Sequence, residues 1–229
     1  MATITVENGD AMAVNGETTM REWFNQPDKN GVLETLRYAN NHSANTRGEK
    51  TLGHFANDVI PAYEEYIDEK GVKAQFTGAP GDGNFMDFYI MEFDGGKRIS
   101  KASGEIFDKA KEYMENTAGM KIPAEKDKAD PFYKNCEAYA MLMVERGYVG
   151  IFAEKVAIEN VARKLKKDFE FSTKQQDASG IDGFIGGVPV QVKPEGHAFS
   201  QHGDVSLIEY KMTVGKKLKV TFDRQELEQ

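Results

Sequence analysis

The chain has 229 residues, 40% hydrophobic and 29% charged, with a formal net charge of -8. That is enough apolar material for one elaborated domain or two small ones, while the single cysteine, Cys136, excludes both a disulfide framework and a cysteine zinc site. No stretch approaches the roughly 18 consecutive apolar residues of a membrane span and the N-terminus lacks a signal-peptide pattern, so a cytoplasmic protein without a membrane partner is expected.

In chain order, Thr3 to Val6 reads as a strand that ends at Asn8-Gly9-Asp10. A capping box, Thr19 to Glu22, opens a short helix whose Trp23 is expected to anchor a core, and residues 32–41 form a second helix. Another Thr-x-x-Glu box at Thr46 and Glu49 precedes Leu52, Phe55, Ala56 and Val59 at helical spacing. Pro61 suits the first turn of the next helix, which Gly71 ends. The glycine-rich stretch Gly78 to Asn84 lacks the Gly-Lys-Ser/Thr of a phosphate loop and reads as a turn before a strand, Phe85 to Phe93. A helix capped by Ser103 then runs to about Thr117 on a stripe of Ile106, Phe107, Ala110 and Met114. After a solvated loop at 121–130, Asp130-Pro131 starts a long helix that holds Cys136, turns Tyr139, Leu142 and Met143 inward, and ends at Gly147.

The next helix, Tyr148 to Leu165, carries an anomaly. At about 100° per residue Ile151, Ile158, Val161 and Leu165 form one apolar stripe, and Glu154 sits in the middle of it. An inward carboxylate answers either to a cation or to a buried hydrogen-bonding partner, or is a helix end tucked under Lys155. Glu159, about 140° away, is expected in solvent. Asp168 to Gln175 reads as a strand. Ile181 to Ile185 and Val188 to Lys193 read as a hairpin across Gly186-Gly187, and Val205 to Met212 and Lys217 to Asp223 as two further strands. Along Val188 to Lys193 the valines share one face, so Gln191 and Lys193 point together to the other, beside Asp182.

Asp182, eight intervening residues and a turn, then Gln191-Val192-Lys193, resembles the active-site signature of the PD-(D/E)XK nucleases in its Gln-x-Lys variant. A helical glutamate before the first core strand also belongs to that pattern, and Glu154 falls there. The resemblance implies a magnesium ion held by Asp182, the Val192 carbonyl and Glu154, with Lys193 positioning the attacking water and Gln191 standing where a second acid is commoner. Should Glu154 be structural, Asp177 is the next acid able to complete the site. The segment Thr46-Arg47-Gly48 to Leu52-Gly53, taken with this motif, is similar to the MjaI-like type II restriction endonucleases. That similarity implies sequence-specific cutting of double-stranded DNA at a short palindrome, CTAG among them, by a homodimer.

The resulting expectation is an α/β (α+β) protein. Residues 148–229 form a restriction-endonuclease-like core with a mixed central β-sheet flanked by helices, and residues 1–147 form a largely helical region for DNA recognition or dimerisation. Charge is uneven: residues 1–149 hold 17 basic and 25 acidic side chains, residues 150–229 hold 12 of each. Lys164, Lys166 and Lys167, and Lys217 and Lys219, are candidates to neutralise DNA phosphates, or are ordinary solvated faces. His42, His54, His197 and His202 show no metal-ligand spacing, and the last two are read as a solvated loop. A structure-specific nuclease, and an inactive DNA-binding protein of the same fold, are the alternatives.

Overall fold

The computed structural model describes residues 1–6, 30–42, 58–75, 81–118, 126–177, 179–196, 205–213 and 217–228. The readings at Asn8 to Phe24, at Thr46 to Ala56, and at His54, His197 and His202 lie outside them. The chain divides into two compact units, Glu17–Tyr148, and Met1–Gly16 with Val149–Gln229.

In the unit Glu17–Tyr148, α1 spans Asn30–His42, α2 Ile60–Lys70, α3 Phe85–Met91 and α4 Gly95–Tyr113, and α1 packs against α4. Helix α2 has Pro61 in its first turn and stops at Gly71, which takes the left-handed φ of 64° that glycine tolerates. The expected strand Phe85 to Phe93 is instead helix α3. A continuous apolar run satisfies either period, and the Asn84 side chain decides by accepting the Asp87 N–H at 3.1 Å as an N-cap, which leaves Phe85, Phe88 and Tyr89 buried on one helical face. Ser103 is not a cap. It sits inside α4 and donates to the Ile99 carbonyl at 2.6 Å, while Ile106, Phe107, Ala110 and Met114 form the buried stripe as read.

Helix α5, Pro131–Leu165, begins where Asp130 accepts the Phe132 N–H at 2.7 Å, and runs through both Gly147 and Gly150. The two helices expected around Gly147 are therefore one. An interior glycine costs only about 1 kcal/mol of helix propensity, and the flanking Val144, Tyr148 and Ala153 are fully buried.

The second unit is a six-stranded sheet in the order β1-β6-β5-β4-β3-β2, with β1 Ala2–Val6, β2 Phe169–Phe171, β3 Gly183–Ile185, β4 Val188–Pro194, β5 Ser206–Thr213 and β6 Lys217–Phe222. It is mixed: β4 and β5 run parallel and every other neighbouring pair is antiparallel. The architecture is thus the α+β, restriction-endonuclease-like one expected. Strand β2 is shorter than the reading of Asp168 to Gln175, because the chain turns into a one-turn helix, α6, Lys174–Asp177. A second short helix, α7, Arg224–Leu227, follows β6. Gly186 and Gly187 close the β3–β4 turn at φ 58° and 84°, the two positive values that a tight two-residue hairpin demands.

One face of the sheet packs against the second part of α5. Ala153, Val156, Ala157, Ile158, Val161 and Ala162 from the helix meet Val190, Val192, Ile208, Leu218, Val220 and Phe222 from the strands. Approach is closest at Gly183, where a Cβ would stand 2.7 Å from the Glu170 carbonyl oxygen and 2.8 Å from Ile158 Cδ1, whereas a Cβ on Gly150 would meet nothing within 4 Å. Gly183→Ala should therefore cost about 1–3 kcal/mol by overpacking, and Gly150→Ala should gain about 0.5–1 kcal/mol from helix propensity. Urea midpoints of both variants check this, and a destabilised Gly150→Ala would contradict an uninterrupted α5.

Candidate active site

Asp182 is fixed by the point at which the chain leaves the sheet. Directly before β3, its N–H donates to the Val190 carbonyl at 2.9 Å and its carbonyl accepts the Ser172 N–H at 3.3 Å. Among the described residues no strand precedes Asp182 on the β3 side of β4, and the Val192 N–H donates instead to the Asp182 carboxylate, at 2.6 Å to Oδ2. Alternation along β4 turns the Val192 carbonyl to the same edge. Lys193 Nζ stands 3.7 Å from that Oδ2, an ion pair longer than a hydrogen bond, with the Asp182 side chain only 6% exposed.

Glu154 arrives from α5. Ile158 packs directly on Gly183, and Glu154, one helical turn earlier on the same face, is thereby carried to Asp182 and Lys193. Burial, then the negative charge of Asp182, pushes the Glu154 pKa up to about 8, while Lys193 pulls it down and Asp177 adds to the rise. Asp182 is also raised, first by burial, against the opposing pull of the Val192 N–H and Lys193, with Asp177 again raising it. Asp177, at the end of α6, is thus a third acid in electrostatic range, brought there by a turn in which Gly180 donates to its carbonyl at 2.8 Å.

The other residues singled out from the sequence lie elsewhere. Gln191 projects from the face of β4 opposite Val190 and Val192, under the turn at Gly180, where a Cβ would stand 3.0 Å from its Nε2. Lys164 and Lys166 are exposed and close α5. The Lys167 side chain lies over Gly186 and donates to the Leu227 carbonyl at 2.5 Å, so this basic run flanks the hairpin turn, at the far end of β4 from Lys193. Lys219 is half-buried on β6, between Thr5 and Lys211, and Lys217 opens the same strand.

Two carboxylates partly withdrawn from solvent, with the Lys193 ammonium nearby, could receive a hard divalent cation. Among the described residues no three acid, histidine or cysteine side chains form a cage. Magnesium does not require one, since it is commonly held by one or two carboxylates and keeps several waters. No helix among the described residues is long and apolar enough to cross a membrane.

The family model of the MjaI restriction endonuclease matches residues 83–225, a range that contains Glu154, Asp182, Gln191 and Lys193. The chain belongs to the MjaI restriction endonuclease family. Membership implies an endodeoxyribonuclease that binds DNA. The match includes the Asp182 hairpin and begins after the Thr46 to Gly53 segment on which the resemblance partly rested. No curated protein and no solved structure matches the chain.

A raised acid pKa makes the folded state hold a proton that the unfolded state has lost. The contribution of this buried proton to metal-free stability should therefore be full at and below pH 4.5, the ordinary value for the side chain, and be lost as the pH rises toward about 8, the folded value for Glu154. Glu154→Gln should flatten most of that slope, leaving a remnant of the same sign from Asp182, and should be at least as stable as the parent at pH 8. Chemical denaturation across this pH range with chelator present checks it. An unchanged slope in Glu154→Gln would locate the buried proton elsewhere.

Proposed function

We propose that this MjaI-family chain is a magnesium-dependent type II restriction endonuclease whose active site is Asp182, Glu154, the Val192 carbonyl and Lys193. The observation that supports it best is the negative charge withdrawn from solvent around Asp182: Glu154 lies within electrostatic range of Asp182, and Lys193 pairs with Asp182 at 3.7 Å. Such a pair is costly to ionise on its own and is stabilised when a divalent cation joins it. The carboxylates of Asp182 and Glu154, with the Val192 carbonyl, fit that ion as oxygen donors.

Magnesium bound there supplies Lewis acidity and neutralises charge on the phosphoryl oxygens. Lys193 holds the attacking water in line with the scissile P–O bond and stabilises the negative charge that grows on the phosphate. The Val192 N–H keeps the Asp182 carboxylate in one rotamer, so its second oxygen is aimed without reorganisation during the reaction. Gln191, set under Gly180, supports the turn that carries Asp177 and Asp182 rather than supplying charge.

The substrate in this reading is double-stranded DNA in the cytoplasm, cut at a short palindrome such as CTAG. A homodimer matches the two-fold symmetry of the site, so that each copy presents one active site to one strand. The unit Glu17–Tyr148 carries recognition or dimerisation, the strand Ala2–Val6 belonging to the sheet of the other unit, and the exposed Lys164 and Lys166, with Lys217 and Lys219, contact phosphates along the flank.

Lys193→Ala should lower plasmid cleavage in magnesium by at least about 10²-fold, the scale of one transition-state donor, with DNA binding within a few-fold of the parent. Asp182→Asn should lose cleavage similarly, and Gln191→Ala should lose less than either. Sequencing the ends of the fragments identifies the site. Cleavage by Lys193→Ala at the parental rate removes that residue from the site, and ends that share no sequence argue for a structure-specific nuclease instead.

A further inference from the structure

Lys155 adjoins Glu154 on α5, and its ammonium lies over the Phe171 ring, 5.3 Å from the centroid, in a cation–π contact. Phe171 belongs to β2, the outermost strand of the sheet, and its ring is 39% exposed, so the contact stands at the surface. A ring holds an ammonium without neutralising it, and the positive charge survives the contact.

Its position follows from register and packing. Phe171 pairs with Gly183 across β2 and β3, and residues directly opposite turn their side chains to one face, here the face covered by α5. The next residue, Ser172, donates its N–H to the Asp182 carbonyl at 3.3 Å, so Phe171 stands at the end of the sheet that holds Asp182. From the helix side, Ile158 packs on Gly183, and Lys155 and Glu154 come three and four residues before it, one turn back and on either side of it. The contact with Phe171 shows that Lys155 leans toward β2. Glu154 leans to the other side, toward β4, where Lys193 pairs with Asp182. Acid and cation thus straddle Gly183, the acid on the side of the reactive centre and the cation on the side of the sheet edge.

We propose that Lys155 is a substrate-binding residue, its ammonium, held over the Phe171 ring, receiving a DNA phosphate next to the scissile one on the β2 side of the site. The proposal rests on the reading that Asp182 marks the reactive centre of a DNA nuclease. A strand placed with one phosphate at Asp182 has neighbouring phosphates on both sides, and the flank toward the sheet edge is where Lys155 stands. The site carries two acids beside Lys193, so a further cation next to it lessens the repulsion that an approaching polyanion meets. Packing along the ring also orders a long, flexible side chain before DNA arrives, which reduces the ordering cost of the contact.

Filter binding of linear plasmid DNA across a salt series, with chelator present, tests this on the parent, Lys155→Met, Lys155→Arg and Phe171→Leu, with urea midpoints measured beside it. Lys155→Met keeps a stem for the ring and removes the charge. It should bind roughly tenfold more weakly at low salt, and its slope of log affinity against log salt should be shallower by about 0.9 per bound chain, the contribution of one phosphate. Lys155→Arg should keep the parental slope. Phe171→Leu retains the charge, so it should hold that slope and bind a few-fold more weakly. In plasmid cleavage with magnesium, Lys155→Met should need more DNA to reach its half-maximal rate while its maximal rate stays within a few-fold of the parent. A parental slope in Lys155→Met overturns the proposal, and a lowered urea midpoint beside it makes Lys155 a structural pin of β2. Parental affinity in Phe171→Leu overturns the part played by the ring. A parent that shows the expected slopes and does not cut plasmid overturns the reading of Asp182 as a reactive centre and leaves the contact with DNA standing.

Discussion

The hydrogen bond from the Val192 N–H to the Asp182 carboxylate is the contact on which the rest of the site depends. It exists because β3 begins at Gly183 while β4 continues to Pro194, so one strand outlasts its neighbour and leaves an edge amide and an edge carbonyl to be satisfied. The carboxylate takes the amide. What remains at that edge is an anionic oxygen beside an unshared direction of the Val192 carbonyl, with Lys193 one residue further on. A sheet edge that is a liability in most proteins is here capped by the Asp182 carboxylate.

Packing then sets the distance between the acids. Gly183 lets Ile158 and the Glu170 carbonyl approach more closely than any side chain at that position would permit, and this sets how near α5 lies to the hairpin. Glu154 follows Ile158 by geometry, one turn away on the same face. The same closeness that brings Glu154 toward Asp182 removes water from both, and this burial is the first cause of the elevated affinity of these acids for protons. The cost is that ionising these acids inside a core lowers the stability of the unit as the pH rises.

The basic residues distribute differently from the acids. Lys167 is tied to the Leu227 carbonyl near the hairpin turn, while Lys193 pairs with Asp182 toward the opposite end of β4. An extended polyanion lying along β4 would meet Lys164 and Lys166 at one end and Lys193 at the other.

The hairpin was legible in the sequence because its information is local. Period-two valines, two glycines in a turn, and the offset between Asp182 and Lys193 fix which side chains share an edge whatever surrounds them. The stripe that carries Glu154 was legible for the same reason, since helical periodicity shows an acid among apolar neighbours. The continuity of α5 through Gly147 and Gly150, and the helical state of Phe85 to Met91, were not, because propensities of about 1 kcal/mol are overridden by burial and by a single cap. Nor could sequence alone show that Gln191 lies under Gly180, or that Tyr210 aligns with Pro194. Both depend on register between segments distant in the chain, and only the packed sheet, with β5 laid parallel to β4, determines it.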